Sequence, residues 1–165
     1  MNLIPEIICA SLWIAVGAHS NPLVDESNFD VCLSIAEEAN AQGVNPIMSV
    51  SVGWIESRFT NPTSGAGARG PLQIIPRYWC PEGRLRGCDL VENGISAIDN
   101  FYKRYARSGM CGGDFLNTEY YSSWSSPLCH YNSGNRCNSS SRAYARAVIG
   151  IAENTSGIYS SIVGE

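Results

Sequence analysis

The sequence predicts an all-α, single-domain protein. Three observations predict it. Apolar residues recur at helical spacing in several long segments, strand-like alternation is nearly absent, and neither an internal repeat nor a Pro/Gly/Ser-rich linker divides the 165 residues. A chain of this length buries a core of its own. Charged residues make up 16% against roughly 25% in an average globular protein, and 44% are hydrophobic, which excludes a disordered tail.

The elements follow in chain order. "IICASLWIAVGA" (Ile7 to Ala18) is an uncharged apolar run of 12 residues. It is too short to span a bilayer, which takes about 20. With Val16 and Ala18 as a small-residue pair it reads as an export signal over residues 1–18, leaving 19–165 as the domain. Against this, no Lys or Arg precedes the run and Glu6 stands where a positive charge is usual. The competing reading is a hydrophobic arm that stays and packs against a partner. "SNFDVCLSIAEEANAQG" (Ser27 to Gly43) predicts an amphipathic helix capped by Ser27 or Asn28 and ended by Gly43. "NPIMSVSVGWIES" (Asn45 to Ser57) predicts a second, apolar most of the way round and therefore central, with Pro46 in its first turn and Glu56 near its end. Thr60 to Gly70 is a loop, and Leu72 to Tyr78 a short helix interrupted at Pro76. Leu90 to Gly109 and Ser140 to Thr155 are the remaining predicted helices.

Net charge is −4 and the sequence pI near 5.2, with no basic run, so nucleic acid is excluded as the main partner. The seven cysteines are too far apart in sequence for the short pairs that hold zinc, and only His19 and His130 supply imidazole, so neither metal nor cofactor is expected. Without Cys9, six remain, an even number suited to disulfides in an oxidising, exported setting. Their connectivity is open. The preferred pairing closes two short loops, Cys80 with Cys88 and Cys129 with Cys137, and leaves Cys32 for Cys111.

The candidate chemistry starts at Glu56. A carboxyl in apolar surroundings is penalised when ionised, so it holds its proton near neutral pH and can act as an acid. Glu56 is followed by "SGAGARGPLQI" (Ser64 to Ile74), whose Gly65, Gly67 and Gly70 let backbone approach a ligand closely. "HYNSG" (His130 to Gly134) and "AYARAV" (Ala143 to Val148) come later. Together with "ESRF" (Glu56 to Phe59), these motifs in this order resemble the catalytic domain of soluble lytic transglycosylases, a lysozyme-like fold shared with goose-type lysozymes. The likeness covers about residues 30–155.

The resemblance implies a lysozyme-like domain with a substrate cleft, and a role for each matching residue. Glu56 is the sole catalytic acid and base. Ser57 fixes the groove wall and Ser64 hydrogen-bonds substrate or carboxyl. Gln73 and Asn132 bind the sugar chain, the Tyr131 hydroxyl orients Glu56, and Tyr144 is the late aromatic returning to the site. Trp54, Trp79 and Trp124 are read as core rather than sugar platforms, and His130 as solvent-facing. The implied substrate is peptidoglycan. Its alternating N-acetylmuramic acid and N-acetylglucosamine would be cut at the β-1,4 bond with a 1,6-anhydro end, which needs no second carboxylate. Two alternatives stand beside this one. A muramidase would use water, positioned by Asp89 or Asp114. A structural component of a virion or secretion apparatus would keep the fold for docking on the cell wall. In each case the expected setting is outside the cytoplasm, with no stable membrane span.

Overall fold

Prolines and capping side chains set where the helices begin in the computed structural model, which describes residues 2–106 and 115–164. Pro5 opens α1 (Pro5–Val16) and Pro46 opens α3 (Pro46–Ser57), the latter also capped by the Asn45 side chain, which accepts from the Met48 N–H. Asp25, rather than Ser27 or Asn28, is the cap of α2 (Glu26–Gln42). Asn28 completes a capping box by returning its side chain to the Asp25 N–H. Asp89 caps α5 (Leu90–Tyr105) and Asn138 caps α7 (Ser139–Val163). The short α4 (Pro76–Trp79) starts at its proline instead of running through it from Leu72. Ile75 before it is extended, as the residue preceding proline must be. A 3-10 helix over Thr118–Trp124 leads into α6 (Ser125–Ser133). Among the described residues the fold is helical throughout, with no extended strand.

One element differs from expectation in extent, and two were not expected. α7 continues past Thr155 to Val163, its buried stripe carried on by Ser156 and Tyr159. The 3-10 helix and α6 had no clear apolar period in sequence. Their order comes from packing on α5 and α7 and from the Cys129–Cys137 disulfide. The predicted continuation of α5 to Gly109 falls largely outside the described residues.

Helix α3 is the centre. It is flanked by α1, α2 and α7, and ten of its residues are buried. Two of its buried hydroxyls are satisfied within its own turns: Ser49 donates to the Asn45 carbonyl (2.8 Å) and Ser51 to that of Ile47 (2.7 Å). Gly53 leaves no room for a side chain, since a Cβ there would lie 2.9 Å from both Ile35 of α2 and Phe59.

The amino-terminal run is part of this core. Leu3, Ile8, Cys9, Leu12 and Trp13 are buried, and α1 lies along α7, with the Ile4 N–H donating to the Tyr159 hydroxyl (3.0 Å). Cys9 is bonded to Cys32, which corrects the expected Cys32–Cys111 pairing. Facing positions on α1 and α2 bring the two Cα atoms to 6.1 Å, and Cys111 lies outside the described residues. The Cys80–Cys88 and Cys129–Cys137 bonds are as expected. No helix among the described residues is long and apolar enough to cross a membrane.

Candidate active site

Helix α3 delivers Glu56 to the surface from the middle of the core. The chain then turns sharply through two left-handed residues, Arg58 (φ 54°) and Phe59 (φ 60°), conformations that side chains with a Cβ rarely adopt. Three contacts hold the turn. The buried Asn28 amide donates to the Arg58 carbonyl (3.0 Å), and Phe59 is buried against Trp13 in a stack with centroids 5.5 Å apart. The Arg58 guanidinium lies 4.4 Å above the Trp54 ring. The rigid end that carries Glu56 is thus braced by α1 and α2. No sequence signal pointed to Asn28 or Trp13 in this role.

The glycine loop forms the facing wall. Arg69 and Ile74 exchange backbone hydrogen bonds (2.7 and 3.1 Å), while the Ser64 hydroxyl accepts from the Ala68 N–H (3.0 Å) and closes the tip. Gly70 needs its freedom twice over: its φ is 79°, and a Cβ there would lie 2.9 Å from Leu90. Gln73 also has positive φ (53°), and its amide nitrogen donates to the Pro62 and Gly70 carbonyls (3.0 Å each). With both N–H groups engaged, the amide oxygen is the end left for a ligand. Gln73 therefore holds the wall first and meets the cleft second.

Between these walls is a cleft of about 450 Å³. Glu56, Ser64, Gln73, Tyr131 and Asn132 all line it, so five of the seven sequence-predicted residues converge there. The other two stand behind it. Ser57 is buried, donates toward the carbonyls of Pro71 (2.8 Å) and Gly53 (3.2 Å), and does not line the cleft. It fastens the loop to α3. Tyr144 does not line the cleft either. Its buried hydroxyl has no hydrogen-bond partner among the described residues, and burial first, then the Glu56 carboxylate and Tyr131, hold its proton on.

Burial alone raises the Glu56 pKa from 4.5 to about 7. Tyr131 is pushed well above the usual phenol range, first by burial and then by the Glu56 charge. Its hydroxyl donates to the Leu72 carbonyl (2.5 Å) rather than to Glu56, so the tyrosine ties α6 to the loop instead of gripping the carboxyl as expected. Glu56 is the only carboxylate among the described lining residues. Asp89 is committed to the Val91 and Glu92 N–H groups at the start of α5 and does not line the cleft; Asp114 lies outside the described residues.

The floor is aromatic. Tyr78, Trp79 and Phe101 line it, with Tyr78 67% exposed. Trp79, expected in the core, is a cleft residue, because α4 is a single turn laid on α5 rather than buried beneath it. Trp54 and Trp124 are core, as read. His130 does not simply face solvent. It stacks on Tyr105 (centroids 3.7 Å apart, planes 6° from parallel) and bonds the Gly134 carbonyl through Nδ1 (2.6 Å). A carbonyl only accepts, so Nδ1 carries the proton and Nε2 is the free nitrogen of the neutral ring. No group of three or more His, Cys, Asp or Glu among the described residues is arranged to hold a metal.

Comparisons of the chain with protein-family models, curated proteins and solved structures find no match. The chemistry has to be read from the cleft itself. It offers one protonatable carboxyl at neutral pH, amide and hydroxyl groups on both walls, and an exposed aromatic ring on the floor. That set suits a neutral, hydroxyl-rich ligand that must receive a proton.

Proposed function

We propose that the protein is a lytic transglycosylase that cleaves peptidoglycan strands with Glu56 as its single acid and base. The observation that carries this reading is the solitary carboxyl: half-buried, with its pKa raised to about 7 by desolvation, and without a second carboxylate among the described residues of the cleft. Glycosidases that use water or an enzymic nucleophile set two carboxyl groups about 5 to 10 Å apart across the bond. A one-carboxyl site works when the substrate supplies the nucleophile.

Muramic acid can do so. Glu56 gives its proton to the glycosidic oxygen as the C1–O bond breaks. The C6 hydroxyl of the same sugar then closes on C1, and its proton passes to Glu56, which restores the acid. No water is consumed, and the product end is a 1,6-anhydro sugar. Tyr78 and Trp79 offer faces for pyranose rings, while the Gln73 oxygen and Asn132 offer polar partners for their hydroxyl and acetamido groups. Three disulfides support an oxidising compartment as the site of action. The water-using alternative loses one proposed partner, since Asp89 caps α5 away from the cleft.

Mass spectrometry of the fragments released from purified peptidoglycan tests the reading. The native protein should release ends one water lighter than hydrolysis products, and Glu56→Gln should release none. Full-weight reducing ends would make the protein a hydrolase. No release would remove peptidoglycan as its substrate.

A further inference from the structure

His130 lies in the last turn of α6 and lines the cleft with Glu56, and the fold holds its half-buried ring on two sides. One ring face lies flat on Tyr105, with centroids 3.7 Å apart. Backbone and ring both bond Gly134. The Gly134 N–H donates to the His130 carbonyl (2.7 Å), and His130 Nδ1–H donates to the Gly134 carbonyl (2.6 Å). This double clamp sets the turn after α6, where Gly134 takes φ 76° and lines the cleft. The fold thus uses Nδ1 and one ring face. It makes no use of Nε2, which has no hydrogen-bond partner among the described residues.

What Nε2 can do follows from where the proton is. With Nδ1 carrying it, Nε2 is a lone pair that only accepts. The free end of Gln73 is of the same kind, since its amide nitrogen is given to the Pro62 and Gly70 carbonyls and its oxygen is left. Two held acceptors therefore line the cleft. A sugar hydroxyl turns to suit a donor or an acceptor, so acceptors do not select it. An acetamido N–H only donates, and away from water it stays unpaired unless an acceptor meets it. Resting on the transglycosylase reading, we infer that His130 Nε2 accepts the acetamido N–H of a sugar bound in the cleft and so makes His130 a residue that selects N-acetylated strands. Because the ring is locked before the ligand arrives, little conformational freedom is lost in forming that bond.

The two nitrogens can be tested apart. An asparagine amide reaches about as far as Nδ1, and a glutamine amide about as far as Nε2. His130→Asn therefore keeps a donor for the Gly134 carbonyl and loses the group in the cleft, whereas His130→Gln does the reverse. Calorimetric titration uses an oligomer of β-1,4-linked N-acetylglucosamine and the glucose oligomer of the same linkage, which has a hydroxyl in place of each acetamido group. The native protein should bind the N-acetylated oligomer roughly five- to tenfold more tightly, the worth of one hydrogen bond to an otherwise unpaired N–H. His130→Gln should keep most of that preference. His130→Asn should lose it, through weaker binding of the N-acetylated oligomer alone, and unchanged binding of the glucose oligomer then certifies an intact cleft. His130→Phe, which keeps the stack on Tyr105 and loses both nitrogens, should behave like His130→Asn. The opposite order, with His130→Gln impaired and His130→Asn intact, would make the histidine a clamp for Gly134 only and overturn the inference. Equal losses in those two variants would overturn it as well, and so would a native protein that does not distinguish the oligomers. In each of these cases cleavage of peptidoglycan by the native protein leaves the transglycosylase reading in place. No cleavage of peptidoglycan would overturn that reading, and this inference with it.

Discussion

Replacing Glu56 with Gln should make the protein more stable, and only above a definite pH. Burial lifts the carboxyl pKa from 4.5 to about 7. Folded Glu56 therefore keeps a proton that the unfolded chain releases, and stability falls as pH climbs from about 4.5 to about 7. At about 1.4 kcal/mol per pH unit, that window corresponds to about 3 kcal/mol lost from the native protein. Glutamine has nearly the same shape and no charge, so the variant escapes the loss. Urea unfolding of both proteins with disulfides intact, at about pH 4 and about pH 8, isolates this one group, because every other titration is common to the pair. The two should unfold together at the lower pH. At the higher pH the variant's midpoint should lie roughly 1 to 2 M above the native one, for a urea dependence of about 2 kcal/mol per molar. A stability difference that does not change between the two pH values would refute the argument that Glu56 is ionised at a cost in this cleft.

The same proton should set the rate. Glu56 must be protonated to act as an acid, so kcat/KM on peptidoglycan should decline as pH rises through about 7. Trp13→Ala should cost about 3 to 5 kcal/mol in urea unfolding, because Trp13 is buried and stacked on Phe59 under the turn that follows Glu56. Tyr78→Ala should leave stability within about 0.5 kcal/mol, since the ring is 67% exposed. It should raise KM for glycan roughly fivefold at constant kcat, the pattern of lost ground-state binding.

Much of this site was legible because its parts announce themselves locally. Glu56 stands near the end of a helix apolar most of the way round, and glycines at Gly67 and Gly70 mark a wall that needs positive φ. Caps and prolines gave the helix starts to within a residue or two at α2, α3 and α7, and apolar spacing gave that of α5. What stayed hidden depends on tertiary partners. Trp13 reads as part of an export signal, and only the packing of α1 on α7 and the Cys9–Cys32 bond make it a brace. Asn28 resembles an ordinary helix cap until its amide is seen reaching the Arg58 carbonyl 30 positions away. Tyr131 lines the cleft, but its partner is the Leu72 carbonyl, a backbone group that no motif specifies. α6 escaped notice because its serines give no apolar period, and its order is supplied by the helices and disulfide around it.

The central claim is that one carboxyl suffices because the sugar supplies its own nucleophile. Digestion of peptidoglycan in water enriched in heavy oxygen tests this most directly. The account predicts newly formed muramic acid ends that carry no heavy oxygen and lack one water. Ends that have gained one heavy oxygen atom would show that water attacks C1. That result would contradict the account and require a second catalytic group to position the water.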